Sequence, residues 1–185
     1  MALPRVGISA CLLGVQVRYD GGHKLEAYAA GPLGKRVALV SVCPEVEAGM
    51  GVPREPVQLR RTREGIRMVG VTSGRDHTDA MKRHARRRVA MLESLGLSGY
   101  IFKKNSPSCG PAGVPVHGPD AETSRGLFAA ALLERMPDLP VADETDLATR
   151  AGREKFLGRV TSYLRKGVSS TPKVYARKSK PKGAK

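Results

Sequence analysis

The sequence predicts a three-layer α/β single domain with a mainly parallel sheet, a small hairpin insertion and a disordered basic C-terminal tail. Three observations carry this. Short apolar runs alternate with segments of helical period, the pattern of strands joined by crossover helices. The length, 185 residues, suits one hydrophobic core. Apolar residues make up 41% with only 4% aromatic and no Trp, so that core is aliphatic. No stretch approaches the roughly 20 apolar residues of a membrane span.

The elements follow in order. Residues 4–10 read as a first strand with Val6 and Ile8 on one face, and residues 12–22 as a glycine-bearing loop. Residues 23–30 suit a short helix, and 35–42 an apolar buried strand. Residues 44–56, with their prolines and glycines, read as a long loop. Residues 57–62 and 66–71 flank Arg63-Glu64-Gly65 as a hairpin. Thr72 or Ser73 can open a helix ending at Gly96, in which Met81, Ala85, Val89 and Leu92 form an apolar stripe. Lys82, Arg83, Arg86 and Arg87 fall on its outer face. A third strand is expected at 99–103, a Pro/Gly-rich loop at 105–119, and a helix capped by Thr123 or Ser124 running to Met136. A short strand at 139–142 and a helix from Asp143 or Thr145 to about Arg165 complete the domain, assigned to residues 1–166.

The formal net charge is +15, and it is unevenly spread. Between Arg165 and Lys185 lie eight Lys or Arg residues and no acid. Residues 167–185 are expected to be a disordered tail that aids solubility or gives weak RNA affinity. The N-terminal segment lacks the long apolar run of a signal peptide and reads as a buried strand, so a cytoplasmic location is expected.

The three cysteines, Cys11, Cys43 and Cys109, are 32 and 66 residues apart with no Cys-x-x-Cys. A disulfide framework is disfavoured in a reducing compartment. Cys11 ends the first strand, Cys43 ends the second, and Cys109 follows the third. In open α/β sheets ligands bind beyond the carboxyl ends of the strands, so these thiols are expected to share one site. Three thiolates suit zinc, copper(I) or an iron–sulfur cluster. A Cys3His zinc site would need His23 or His117 as a fourth ligand. A 4Fe–4S cluster held by three cysteines leaves one iron open to act as a Lewis acid. Glu45 follows Cys43 closely, Ser106 and Ser108 precede Cys109, Arg18, Tyr19 and Asp20 follow Cys11, and Lys103 and Lys104 place positive charge nearby.

Four blocks extend this reading: Gly7-Ile8-Ser9-Ala10-Cys11-Leu12-Leu13-Gly14; Val17-Arg18-Tyr19-Asp20-Gly21; Cys43-Pro44-Glu45 with Pro53-Arg54-Glu55-Pro56; and Lys103-Lys104-Asn105-Ser106-Pro107-Ser108-Cys109-Gly110. Together they resemble the thiouracil desulfidases. The resemblance runs from about Arg5 to Leu147. It implies a 4Fe–4S cluster on Cys11, Cys43 and Cys109 with one open iron, and Glu45 and Ser106 as the catalytic pair. Arg18, Tyr19, Asp20, Arg54, Lys103 and Ser108 are the expected substrate contacts. The implied reaction removes sulfur, without redox change, from a thiolated pyrimidine such as 2-thiouracil, 4-thiouracil or a thiouridine, giving a uracil-type product and sulfide. Relatives with an extra domain act on 4-thiouridine in transfer RNA. This chain departs from the family pattern in Asp76-His77-Thr78-Asp79-Ala80-Met81, at Gln58 and in its basic tail.

Overall fold

A computed structural model describes residues 3–120 and 122–168; most of the tail expected at 167–185 lies outside them. Strands β1 (Arg5–Ser9), β2 (Ala38–Val42), β5 (Leu97–Phe102) and β8 (Val141–Asp143) form one sheet in the order β2-β1-β5-β8, every neighbouring pair parallel. Alternation along the strands decides which face each side chain meets. Val6, Ile8 and Ile101 pack with Leu33, Phe156, Leu157 and Val160 on one side. Tyr100 and Phe102 pack with Phe128, Leu92 and Met81 on the other. Gly7 lies beneath the Tyr100 ring, where a Cβ would sit 2.3 Å from a ring carbon, so the aromatic needs glycine there.

The hairpin appears as β3 (Val57–Thr62) and β4 (Gly65–Gly70), in antiparallel register from Val57↔Gly70 to Thr62↔Gly65. It is also half of a second, mixed sheet. Strands β6 (Val114–His117) and β7 (Glu122–Ser124) extend it to the order β4-β3-β6-β7, with β3 and β6 parallel. Both fall where the sequence suggested loop and helix cap. Prolines disguise β6, yet its burial alternates, with Val114 and Val116 inside and Pro115 and His117 outside.

Helix α3 (Thr78–Ser94) buries the expected stripe of Met81, Ala85, Val89 and Leu92, and adds Thr78 and His84 to it. It starts later than Thr72 or Ser73. Glu55 captures both of those backbone N–H groups at 2.9 Å, and Gly74 turns the chain in the left-handed region at φ 69°. The Asp76 carboxylate then accepts the Thr78 N–H at 2.8 Å. The remaining helices are α1 (Ala27–Ala30), the single turn α2 (Pro44–Glu47), α4 (Leu127–Arg135) and α5 (Arg150–Val168). Asp143 ends a strand and binds the next turn through Thr145, so the last helix begins at Arg150 rather than Asp143 or Thr145. Among the described residues, no helix is long and apolar enough to cross a membrane.

Candidate active site

The strand order decides the site. The strands preceding Cys11, Cys43 and Cys109 are neighbours and run the same way, so their carboxyl ends open on one edge. Cys11 lies in the 3-10 turn Ala10–Leu13 that follows β1, Cys43 precedes the first turn of α2, and Cys109 lies in the loop after β5. All three line one cavity of about 450 Å³.

Each loop is held by its own backbone. The Cys11 carbonyl accepts the N–H groups of Gly14 at 3.3 Å and Lys24 at 2.9 Å. The Cys43 N–H donates to Glu47 Oε1 at 3.1 Å. The Cys109 loop is clasped by the start of α4: Leu127 N–H donates to the Pro107 carbonyl at 2.9 Å, and Phe128 and Ala129 donate to that of Ser108 at 3.0 and 3.1 Å. This approach requires Gly126, where a Cβ would stand 2.5 Å from the Ser108 carbonyl, and Gly110, where it would meet Val114 at 2.3 Å.

Burial pushes the Cys11 thiol up to about 11, with the charge of Cys43 adding to it and Lys103 and Arg18 opposing it. Burial likewise raises Cys43 and, well above the usual thiol range, Cys109, where Glu45, Cys11 and Cys43 add to the effect. Ionised together, the three thiolates would repel one another, and two of them, Cys11 and Cys109, are buried from water. A cationic, thiophilic core removes that penalty, and the all-sulfur donor set fits one.

Glu45 lies on the first turn of α2 at the wall of the same cavity. Its Oε2 receives Arg54 Nε at 3.0 Å and also Arg54 Nη2. Its Oε1 receives the Ser108 hydroxyl at 2.6 Å. Arg54 is spent elsewhere too, on the carbonyls of Gly51 at 2.8 Å and Val17 at 3.0 Å. Glu55 fixes the Arg54 loop by binding Thr72 and Ser73, and Gly70 leaves room for its carboxylate. Ser106 Oγ accepts the N–H groups of Ser108 at 3.3 Å and Cys109 at 3.1 Å, so its own proton is free to point elsewhere.

The matched family follows from this arrangement of blocks. The sequence fits the profile described as 2-thiouracil desulfurase over residues 6–144, three quarters of the chain. This chain belongs to the 2-thiouracil desulfurase family. It is 31% identical over 108 residues to the uncharacterized protein YbbK of Bacillus subtilis (strain 168), covering 56% of this chain and 71% of that one. Its structure is similar to that of a protein described as a 4Fe–4S-dependent thiouracil desulfidase, TudS, with TM-score 0.63 and 31% identity over 78% of this chain and 93% of that one.

Within this 2-thiouracil desulfurase fold the expected contacts separate. Arg18, Tyr19, Arg54, Lys103 and Ser106 line the cavity with Glu45 and the cysteines. Ser108 and Asp20 are not among its lining residues. Ser108 is fully buried behind Glu45, and Asp20 binds the Gly22 N–H at 3.0 Å, with Arg18 Nε at 3.5 Å. Lys103 pairs with Glu144, whose other oxygen accepts the Lys104 N–H at 2.8 Å. Lys24, Gln58, Asn105 and His117 also face the cavity and were not among the expected contacts. Gln58 and His117 lie on β3 and β6, so only the pairing of those strands brings them there. His23 is not a lining residue; its Nδ1 accepts the Leu25 N–H at 3.2 Å.

Proposed function

We propose that this protein is an iron–sulfur-dependent thiouracil desulfidase that holds a 4Fe–4S cluster on Cys11, Cys43 and Cys109. The observation that carries the reading is three cysteines from adjacent parallel strands lining one cavity with Glu45. Family membership and the similarity to the TudS desulfidase agree with it.

Cys11, Cys43 and Cys109 would hold the cluster, which would supply a Lewis acid able to polarise a thiocarbonyl. The chain's own groups do the rest. Glu45 takes a proton from a water that attacks the thiocarbonyl carbon. Its two oxygens offer about four acceptor positions, so the bonds from Arg54 and Ser108 leave it able to accept another. The Ser106 hydroxyl, fixed by two backbone N–H groups, donates to the pyrimidine ring. The carbon–sulfur bond breaks, a carbon–oxygen bond replaces it, and sulfur leaves as sulfide. No electrons are gained or lost. Arg18, Tyr19 and Lys103 form the polar rim that would orient a thiolated uracil or thiouridine. A cytoplasmic setting, which keeps thiols reduced, suits this chemistry.

The test is anaerobic reconstitution followed by assay against 2-thiouracil, 4-thiouracil and 4-thiouridine, reading sulfide release and loss of ultraviolet absorbance. About four irons and four sulfides per chain, with turnover of at least one substrate, are expected. Stoichiometric zinc without sulfide would overturn the reading.

A further inference from the structure

A polar cluster lies behind the cysteines, outside the catalytic groups named above. Glu47 ends the single turn α2, two residues past Glu45. Its Oε1 accepts the Cys43 N–H at 3.1 Å. Its Oε2 faces His84 Nε2 at 3.2 Å and Arg88 Nε at 3.0 Å, both on α3. Both nitrogens are buried and, among the described residues, neither has an aligned hydrogen-bond acceptor, Glu47 included, so the two contacts are close charge contacts to the carboxylate rather than hydrogen bonds. Arg88 Nη2 also reaches the Ser41 carbonyl of β2 at 3.4 Å, two residues before Cys43. His84 and Arg88 are one helical turn apart on α3; His84 is buried with the apolar stripe and Arg88 is half-buried beside it.

We infer that Glu47, braced by His84 and Arg88, is a positioning residue for Cys43 that sets how firmly this ligand grips the cluster. The inference rests on the proposed cluster site. The carboxylate fixes the Cys43 backbone N–H and hence the direction of its Cα–Cβ bond. Helix α3 in turn fixes the carboxylate. Outer partners of this kind orient metal ligands and typically change metal affinity by about 10–100-fold when removed. Tying Cys43 to the long helix couples the ligand to the rigid core rather than to its loop.

The experiment compares wild type, Glu47→Ala, Glu47→Gln and Arg88→Met, each reconstituted anaerobically. The readouts are iron and sulfide per chain, the half-life of the cluster absorbance against a ferrous chelator, the electron paramagnetic resonance spectrum of the reduced cluster, and the melting temperature of the cluster-free protein. For Glu47→Ala, cluster loss roughly tenfold faster or more and an altered resonance spectrum are expected. Glu47→Gln, whose amide oxygen still accepts the Cys43 N–H, should recover much of the lifetime. Arg88→Met should fall between them. Unchanged cluster lifetime and spectrum in Glu47→Ala would overturn the inference. So would a loss of stability in the cluster-free variants with normal clusters in the fraction that folds. If wild type itself takes up no iron and sulfide, the proposed function fails instead, so the two failures are told apart.

Discussion

Arg54 holds Glu45 by one oxygen. Both Nε, at 3.0 Å, and Nη2 of the guanidinium point at Glu45 Oε2, leaving Oε1 to Ser108. Arg54 thus orients the carboxylate that the proposed chemistry uses as a base, and has few donors left for substrate. Its side chain is only 7% exposed and that of Glu45 13%, so the pair is poorly screened. Arg54→Met should lower kcat by about 100-fold or more, as expected for loss of an aligned base. Stability should fall by up to about 3–5 kcal/mol because a buried charge loses its partner. Arg54→Lys should rescue little, since one ammonium cannot replace the fork. Steady-state kinetics and thermal melts check this, and full activity in Arg54→Met would remove Arg54 from the site.

Ser108 and Ser106 should behave differently. Ser108→Ala removes a buried hydrogen bond to a carboxylate, costing about 1.5–3 kcal/mol and reducing kcat while the cluster still assembles. Ser106→Ala strips the acceptor from two backbone N–H groups in the Cys109 loop, so both cluster content and activity should drop. Iron determination on each purified variant distinguishes the two patterns.

Gly126→Ala tests the clasp. Its Cβ would drive into the Ser108 carbonyl at 2.5 Å, and that carbonyl anchors the first turn of α4. The Cys109 loop must shift, and the variant should reconstitute with less iron and melt at a lower temperature. An iron content equal to wild type would show that the loop is held by other means.

The buried histidine gives a pH dependence. Burial lowers the His84 pKa below its usual 6.5, with Glu47 opposing and Arg87 and Arg88 assisting. The unfolded chain therefore binds this proton at higher pH than the folded one. The His84 contribution is complete above about pH 6.5 and is lost as pH falls from there toward the lowered value. Melts of the cluster-free protein between pH 5 and 8 should show a slope that His84→Gln flattens.

The basic tail is expected to be dispensable for chemistry. Among the described residues, those that line the cavity lie between Ser9 and His117. Removing residues 169–185 should leave desulfuration of a free thiopyrimidine within about twofold, while any salt-sensitive RNA binding is weakened. A large loss of kcat on a free base would tie the tail to the reaction.

The sequence by itself determined the alternation of strands and helices, the apolar stripe of α3, and the positions of Cys11 and Cys43 just past a strand and of Cys109 in the loop that follows one, because strands and helices are local patterns with periods of 2 and 3.6 residues. Its motif blocks also named the family, since Cys43-Pro44-Glu45 and Ser106-Pro107-Ser108-Cys109 carry their order in the chain. What only the tertiary structure decided is adjacency. Nothing local says that β1 lies between β2 and β5, that β6 pairs with β3 to bring His117 and Gln58 to the cavity, or that Ser108 turns inward to Glu45 while Ser106 faces the cavity. Nor could α3 be seen to send His84 and Arg88 to Glu47. Each of these pairs residues tens of positions apart, and such contacts are set by how the layers pack together, which the period of a single segment does not encode.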